Sequence, residues 1–295
     1  MMKKRRITGL LILTLIAVML CGCGTGSSDE KKKEATASQN TKKSGKETEI
    51  QVFIAASLHT VMTELADSYQ KDNPNVKIVF NADSSGTLLT QIEQGFACDI
   101  FFSAAQKQMD ALEADGLVTD GTRKNVVNNQ VVVITRKGSG TKVTGLKDIS
   151  KASSIALADG SVPVGKYTRQ AMVNLGMLDA VDDVSTITTA AIQDKLGTQI
   201  SEQGNVSKVL TAVKDGNCEA GTTYYSDTYG FEDDLDILEY VDYKLTGDVI
   251  YPICMVKNDE ADAEETKAAK GFYDYVTSDA SKAVFDKYYF DTNVE

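Results

Sequence analysis

Four short stretches put unpaired hydrogen-bond donors at the openings of helices. "AASLH" holds Ser57 directly after an apolar strand and just before a helix, and "DSSGT" holds Ser85 in the same relation to the next strand. "SVPVGKYT" sets Pro163, Val164 and Gly165 at a third helix start, and "QGNVSKV" sets Asn205 and Val206 at a fourth. The first N–H groups of a helix have no acceptor within it, and the helix dipole places partial positive charge there. Several such openings aimed at one point could hold a small anion without lysine or arginine. A single Ser/Thr/Asp cluster is ordinarily a helix cap, so the placement of the openings decides between the two uses. Other chemistry is thinly represented. The only nucleophilic pairing would be Cys98 with His59, the sole histidine, and nothing orients it. No metal-ligand spacing and no phosphate loop occurs, which argues against an enzyme and against a site for a free metal cation.

The elements that must position these openings alternate strand and helix. "IQVFIAA" (50–56), "VKIVF" (76–80) and "CDIFFSA" (98–104) read as strands. "HTVMTELADSYQK" and "QKQMDALEADG" read as helices, the second ended by Gly116. A long apolar strand, "NNQVVVITRKG" (128–138), introduces a second series: strand "SIALAD", helices "KYTRQAMVNLG", "ITTAAIQDKLG" and "VSKVLTAVKDG", then strands "EAGTTYY", "DILEYV" and "VIYPICMV". Residues from about 260 to 288 read as helical and have no strands of their own, so they are expected to pack back on the first series. The expected fold is α/β in two lobes, lobe 1 being 49–130 plus 250–295 and lobe 2 being 131–249. Two strands cross between the lobes, near 130–133 and 249–253, and act as a hinge with a ligand cleft between the lobes.

The N-terminus carries a basic cluster, Lys3 to Arg6, and then an apolar run, Leu10 to Leu20, that is short for a membrane span. It reads as a secretory signal over residues 1–22. Its end, "LCGC", resembles the bacterial lipobox, which implies cleavage before Cys23 and lipid on that thiol. Residues 23–48 lack aromatic and β-branched aliphatic side chains and read as a flexible tether. The formal charge of the whole chain is −11, and losing the four basic residues of the signal takes it to −15. A nucleic-acid partner is therefore not expected. Three further cysteines, Cys98, Cys218 and Cys254, allow at most one internal disulfide, and a Cys218–Cys254 bridge is one possibility.

"VFIAASL", "SSGTLLTQIEQGFACDIFFSAAQKQMD", "VPVGKYTRQAM", "NVSKVL" and "AGTTYYSD", in this order, resemble the molybdate-binding proteins of bacterial ABC importers, members of the periplasmic binding-protein superfamily with the type II fold. The resemblance covers nearly all of 49–290. It implies oxyanion contacts from the hydroxyl and N–H of Ser57 and Ser85, the N–H of Val164 and of Val206, and the phenol of Tyr224. Tyr224 enters through the resemblance alone, since by itself it reads as an ordinary strand-end tyrosine. The implied protein is a lipid-anchored, monomeric binder on the extracytoplasmic face of the cell membrane. It carries molybdate or tungstate to a permease and ATPase, without a cofactor and without catalysis, and molybdenum or tungsten is held only as the oxyanion. Sulfate or phosphate is the alternative ligand. Asp83 is a departure: facing solvent it caps its loop, and facing the cleft it could accept a proton from hydrogen phosphate. His59 is expected on the surface at the first turn of its helix.

Overall fold

A computed structural model describes residues 47–294. The signal segment, Cys23 and the tether up to residue 46 lie outside the described residues. The first strands and helices follow the expected alternation: β1 (Thr48–Ala55), α1 (His59–Asp72), β2 (Val76–Asp83), α2 (Ser85–Glu93), β3 (Ile100–Phe102) and α3 (Gln106–Ala114). Gly116, two residues past α3, has φ +73°, the left-handed geometry that lets a helix terminate without Cβ strain. Then come β4 (Lys124–Asn129), β5 (Val131–Arg136), β6 (Ser154–Ala158), α4 (Pro163–Asn174), α5 (Thr189–Leu196), β7 (Gln199–Gln203), α6 (Val206–Lys214) and β8 (Ala220–Tyr224). The chain closes with β9 (Leu235–Tyr240), α7 (Tyr243–Thr246), β10 (Val249–Met255), α8 (Ala263–Val276) and α9 (Asp279–Lys287).

Two five-stranded sheets form, ordered β2-β1-β3-β10-β4 and β7-β6-β8-β5-β9. In the first, β1 is parallel to β2 and β3, while β10 runs antiparallel to β3 and β4. In the second, β6 is parallel to β7 and β8, while β5 runs antiparallel to β8 and β9. Each sheet is covered by helices on both faces, so strand residues of both parities are buried. In β1, Phe53 packs with Leu88, Ile92, Phe101, Met109 and Leu112 on the α2–α3 side. Its neighbours Val52 and Ile54 join Leu58, Val61, Met62, Leu65 and Phe272 on the other. Each such fully buried side chain contributes about 1.5–3 kcal/mol. Helix α8 packs on β1, and α9 on α1, which returns the C-terminal helices to the first sheet.

Several elements differ from the sequence expectation. The single long strand at 128–138 is two strands in different sheets, broken at Gln130, whose side chain donates to Val241 O at 3.1 Å. Strand β7, "QISEQ", is half-exposed and polar at the edge of its sheet, so it carries no apolar alternation to announce it. The last helical stretch is two helices, separated at Thr277 and Ser278. Cys98, Cys218 and Cys254 are all buried and free, with Cys254 in β10 and Cys218 just before β8 of the other sheet. No helix among the described residues is long and apolar enough to cross a membrane.

Candidate functional site

Strand register sets the first half of the site. Parallel pairing puts Ala55 of β1 opposite Asp83 of β2, and two residues beyond each lie Ser57 and Ser85. The two serines therefore emerge side by side from one sheet edge. Ser84, not Ser85, caps α2: its Oγ accepts the Thr87 N–H at 3.2 Å and pairs with the Thr87 hydroxyl at 2.8 Å. That leaves Ser85 as the first helical residue, with a backbone N–H that has no intrahelical acceptor. The Ser85 Oγ, fully buried, accepts the Ala104 N–H at 2.9 Å, so its own proton is free to be donated elsewhere.

Ser57 lies in a 3-10 turn leading into α1, and its hydroxyl is oriented by a chain of bonds. The Asn129 side-chain oxygen accepts the Gln130 N–H at 2.8 Å, which fixes the amide. Its Nδ2 then donates to Ser226 Oγ at 2.8 Å and to Tyr251 Oη at 3.1 Å. The Tyr251 and Ser57 hydroxyls share a hydrogen bond of 2.9 Å. When Tyr251 donates in this pair, the Ser57 proton is available to a ligand. Asn129 ends β4 beside the crossover, and Tyr251 lies in β10, so both strands of the sheet next to the crossover hold this serine. Sequence reasoning did not single out Asn129 or Tyr251; a polar pair, Asn128–Asn129, entering an apolar run was the available signal.

The second sheet supplies the facing wall. Helix α4 starts with Pro163 and has no side-chain cap. Val164, fully buried, and Gly165 follow it. A Cβ on Gly165 would lie 2.1 Å from Asp159 O and 2.6 Å from Ala158 O, so only glycine lets the α4 opening sit against the end of β6. Helix α6 is capped by Asn205, whose Oδ1 accepts the Lys208 N–H at 3.0 Å, leaving Val206 as the first helical residue. Tyr224 ends β8 and is 1% exposed. Among the described residues its hydroxyl has no partner in hydrogen-bonding geometry, and the nearby Tyr251 hydroxyl is engaged with Ser57 and Asn129. Burial pushes the pKa of the Tyr224 phenol well above its ordinary value, so it stays a neutral donor.

Ser57, Ser85, Val164, Val206 and Tyr224 all line one cavity, together with Ala55, Ala56, Ser84, Ala104, Val162 and Pro163. Its volume is about 10 Å3, room for the centre of a single water, so a polyatomic ligand needs the two walls to part. Among the described residues no lysine or arginine lines it, and Asp83 is the one charged lining residue. Asp83 was expected to cap its loop and face solvent. Its Oδ1 does accept the Ser84 N–H at 2.7 Å, but it also accepts from Asn205 Nδ2 at 3.1 Å, which links the two walls. His59 is exposed, as expected, and lines an adjoining larger hollow of about 480 Å3 with Asn205, Asp227 and Tyr229. Asp227, part-buried there, accepts from the Tyr224 N–H and the Thr223 hydroxyl, yet burial pushes its pKa up to about 7. Larger grooves elsewhere, such as that lined by Glu113, Arg123 and Lys257, are open surface features away from the helix openings.

Converging helix N-termini between two α/β sheets joined by crossover strands define a two-lobed binding protein of the type II class. The chain belongs to the bacterial extracellular solute-binding protein family, whose model matches residues 50–291. Among its relatives is a Bacillus subtilis protein named "Putative ABC transporter substrate-binding lipoprotein YvgL", 30% identical over 256 residues, with 86% of this chain and 91% of that one covered. The molybdate-binding protein ModA of Haemophilus influenzae is 29% identical over 253 residues, covering 82% and 89% of the two chains. In fold the chain is similar to the periplasmic molybdate-binding protein of Azotobacter vinelandii, with a TM-score of 0.66 at 18% identity over 82% of this chain and 98% of that one.

Proposed function

We propose that this protein captures a tetrahedral metal oxyanion, molybdate or tungstate, and delivers it to an ABC importer. The observation that carries the reading is the buried Tyr224 hydroxyl without a partner among the described residues, set at the same cavity as the openings of α1, α2, α4 and α6. An unpaired buried hydroxyl costs free energy, and an acceptor-only ligand would remove that cost. The ligand set is the hydroxyl and N–H of Ser57 and of Ser85, the N–H groups of Val164 and Val206, and the Tyr224 phenol. Hydrogen bonds to a charged group contribute about 1.5–3 kcal/mol each. Desolvation and lobe closure offset part of the total, leaving an affinity in the micromolar range or tighter, about −8 kcal/mol or below. The lobes are 49–130 with 250–295, and 131–249, hinged at the two crossings. The protein acts as a monomer on the extracytoplasmic face of the membrane, held by lipid on Cys23 and the tether to residue 48, and meets a permease and its ATPase. The names of the Bacillus and Haemophilus relatives support the lipoprotein and molybdate parts of this reading.

A protonated oxyanion such as hydrogen phosphate is the second reading, favoured by the Asp83 carboxylate on the cavity wall. Thermal unfolding of the soluble body with molybdate, tungstate, sulfate and phosphate separates them. A specific ligand stabilises by RT ln(1 + [L]/Kd), about 2.7 kcal/mol at a hundredfold excess over Kd. Molybdate and tungstate are expected to raise the midpoint at concentrations where sulfate and phosphate do not. A shift with phosphate alone replaces the reading with the second one, and no shift with any of the four ions overturns both.

A further inference from the structure

Arg169 lies in the second turn of α4 and is fully buried. Helical side chains lean toward the N-terminus, and this one reaches back to the α4 opening. Its four hydrogen bonds end on neutral acceptors: Nε on Ile187 O at 2.7 Å, Nη1 on Ala158 O at 2.8 Å and Gly165 O at 2.9 Å, and Nη2 on Thr189 Oγ1 at 3.0 Å. Among the described residues no carboxylate forms an ion pair with it; Asp159 and Glu202 are the acids near enough to favour its charge. A buried charge is ordinarily paired, because leaving water costs several kcal/mol per ion. Arginine cannot escape that cost by losing its proton. The full positive charge therefore sits bonded to the carbonyl of Gly165, the residue after Val164, immediately behind one wall of the cavity.

We propose that Arg169 is the buried counter-charge of the ligand site and makes it select tetrahedral dianions over tetrahedral monoanions of similar size. This rests on the oxyanion reading above. The reasoning is a balance of charge. The helix openings offer only partial charges that fade within a turn, and Asp83 puts a full negative charge on the cavity wall. An offset to Asp83 would favour admission of a dianion, and among the described residues no cationic side chain lines the cavity. Arg169 supplies the offset from behind the α4 opening, where protein rather than salt water lies between it and the ligand, so screening is weak. With an effective dielectric of about 20 and a separation on the order of 10 Å, one charge alters binding about tenfold per unit of ligand charge. The competing role is a mechanical one, tying the 187–189 segment to the end of β6 and to α4 through the same four bonds. It would affect mono- and dianions alike.

Titration calorimetry with molybdate (dianion) and perrhenate (monoanion) on the wild type, R169K, R169Q and R169M separates the two roles. Lysine keeps the charge, glutamine keeps donors without charge, and methionine keeps neither. The expected result is a molybdate-to-perrhenate affinity ratio about tenfold lower in R169Q and R169M, and within about threefold of wild type in R169K. Equal weakening of both ions in the neutral variants, or a fall of the ratio in R169K to match R169Q, overturns the proposal. If circular dichroism shows that the neutral variants do not fold, R169K decides: a retained ratio supports the counter-charge and a lost ratio refutes it. A wild type that binds neither ion defeats the molybdate and tungstate reading, whereas a wild type that binds both with a ratio indifferent to position 169 defeats only the role of Arg169.

Discussion

Replacing Tyr224 by phenylalanine separates ligand binding from folding more cleanly than any other change in the site. The ring is 1% exposed and packs edge-on to Tyr251 with centroids 5.8 Å apart, and phenylalanine keeps that packing. The hydroxyl has no hydrogen-bond partner among the described residues, so removing it is expected to break no internal bond. Deleting an unsatisfied buried hydroxyl is neutral or stabilising, since its loss of water was uncompensated. The ligand-free stability of Y224F should therefore fall within about 0.5 kcal/mol of wild type or exceed it, against the roughly 1 kcal/mol loss typical of point substitutions. Binding should move the other way. A neutral phenol donating to an ionised oxygen contributes about 1.5–3 kcal/mol, so affinity should drop roughly 10- to 150-fold. Urea unfolding without ligand and calorimetric titration with molybdate measure the two quantities on one preparation. Unchanged affinity would show that the phenol does not meet the ligand. A ligand-free loss well above 1 kcal/mol would show that its hydroxyl has a structural partner. Either result refutes the reasoning from the unpaired oxygen.

Ser85→Ala should do both kinds of damage. It removes a donor to the ligand, costing at least about tenfold in affinity, and leaves the buried Ala104 N–H without its acceptor, costing about 1–3 kcal/mol of ligand-free stability in urea unfolding. Ser84→Ala should cost about 1 kcal/mol of stability, as a lost helix cap, with an affinity change under about threefold by calorimetry. Asp227 gives a pH signature. Its folded pKa, about 7, lies above the unfolded value of about 3.9, so between roughly pH 4 and 7 the folded protein holds a proton that the unfolded chain has released. Stability therefore falls as pH rises through that window and levels off above it. D227N should flatten this fall when urea midpoints are compared from pH 4.5 to 8.

Much of the site was legible because helix openings are written locally. Ser57, Ser85, Val164 and Val206 each follow a strand or cap signal and precede an amphipathic repeat, and short-range sterics and capping fix those positions. Tyr224 was not legible from the residues themselves and enters through the resemblance; in the structure it lines the cavity, while its neighbour Tyr225 stacks on Tyr289 at 4.4 Å. The polar edge strand β7 was not legible, because its pairing with β6 comes from backbone bonds rather than side-chain pattern. A crossing near 130–133 was expected, but not that one strand ends at Asn129 and another starts at Val131, since a run of this kind does not show where one strand stops and the next begins.

The amino-acid order by itself determined the alternation of strands and helices and which residues would stand at helix mouths, since those depend on neighbours a few positions away. Only the tertiary structure decided that the mouths meet, through the register of Ala55 with Asp83 and the placement of β6 and β8 in the facing sheet. It alone tied Ser57 to Tyr251 and Asn129, left the Tyr224 hydroxyl without a partner among the described residues, and set Arg169 behind the wall. These features join residues distant in the chain, and hydrogen-bond direction and burial are properties of packed groups rather than of sequence neighbours.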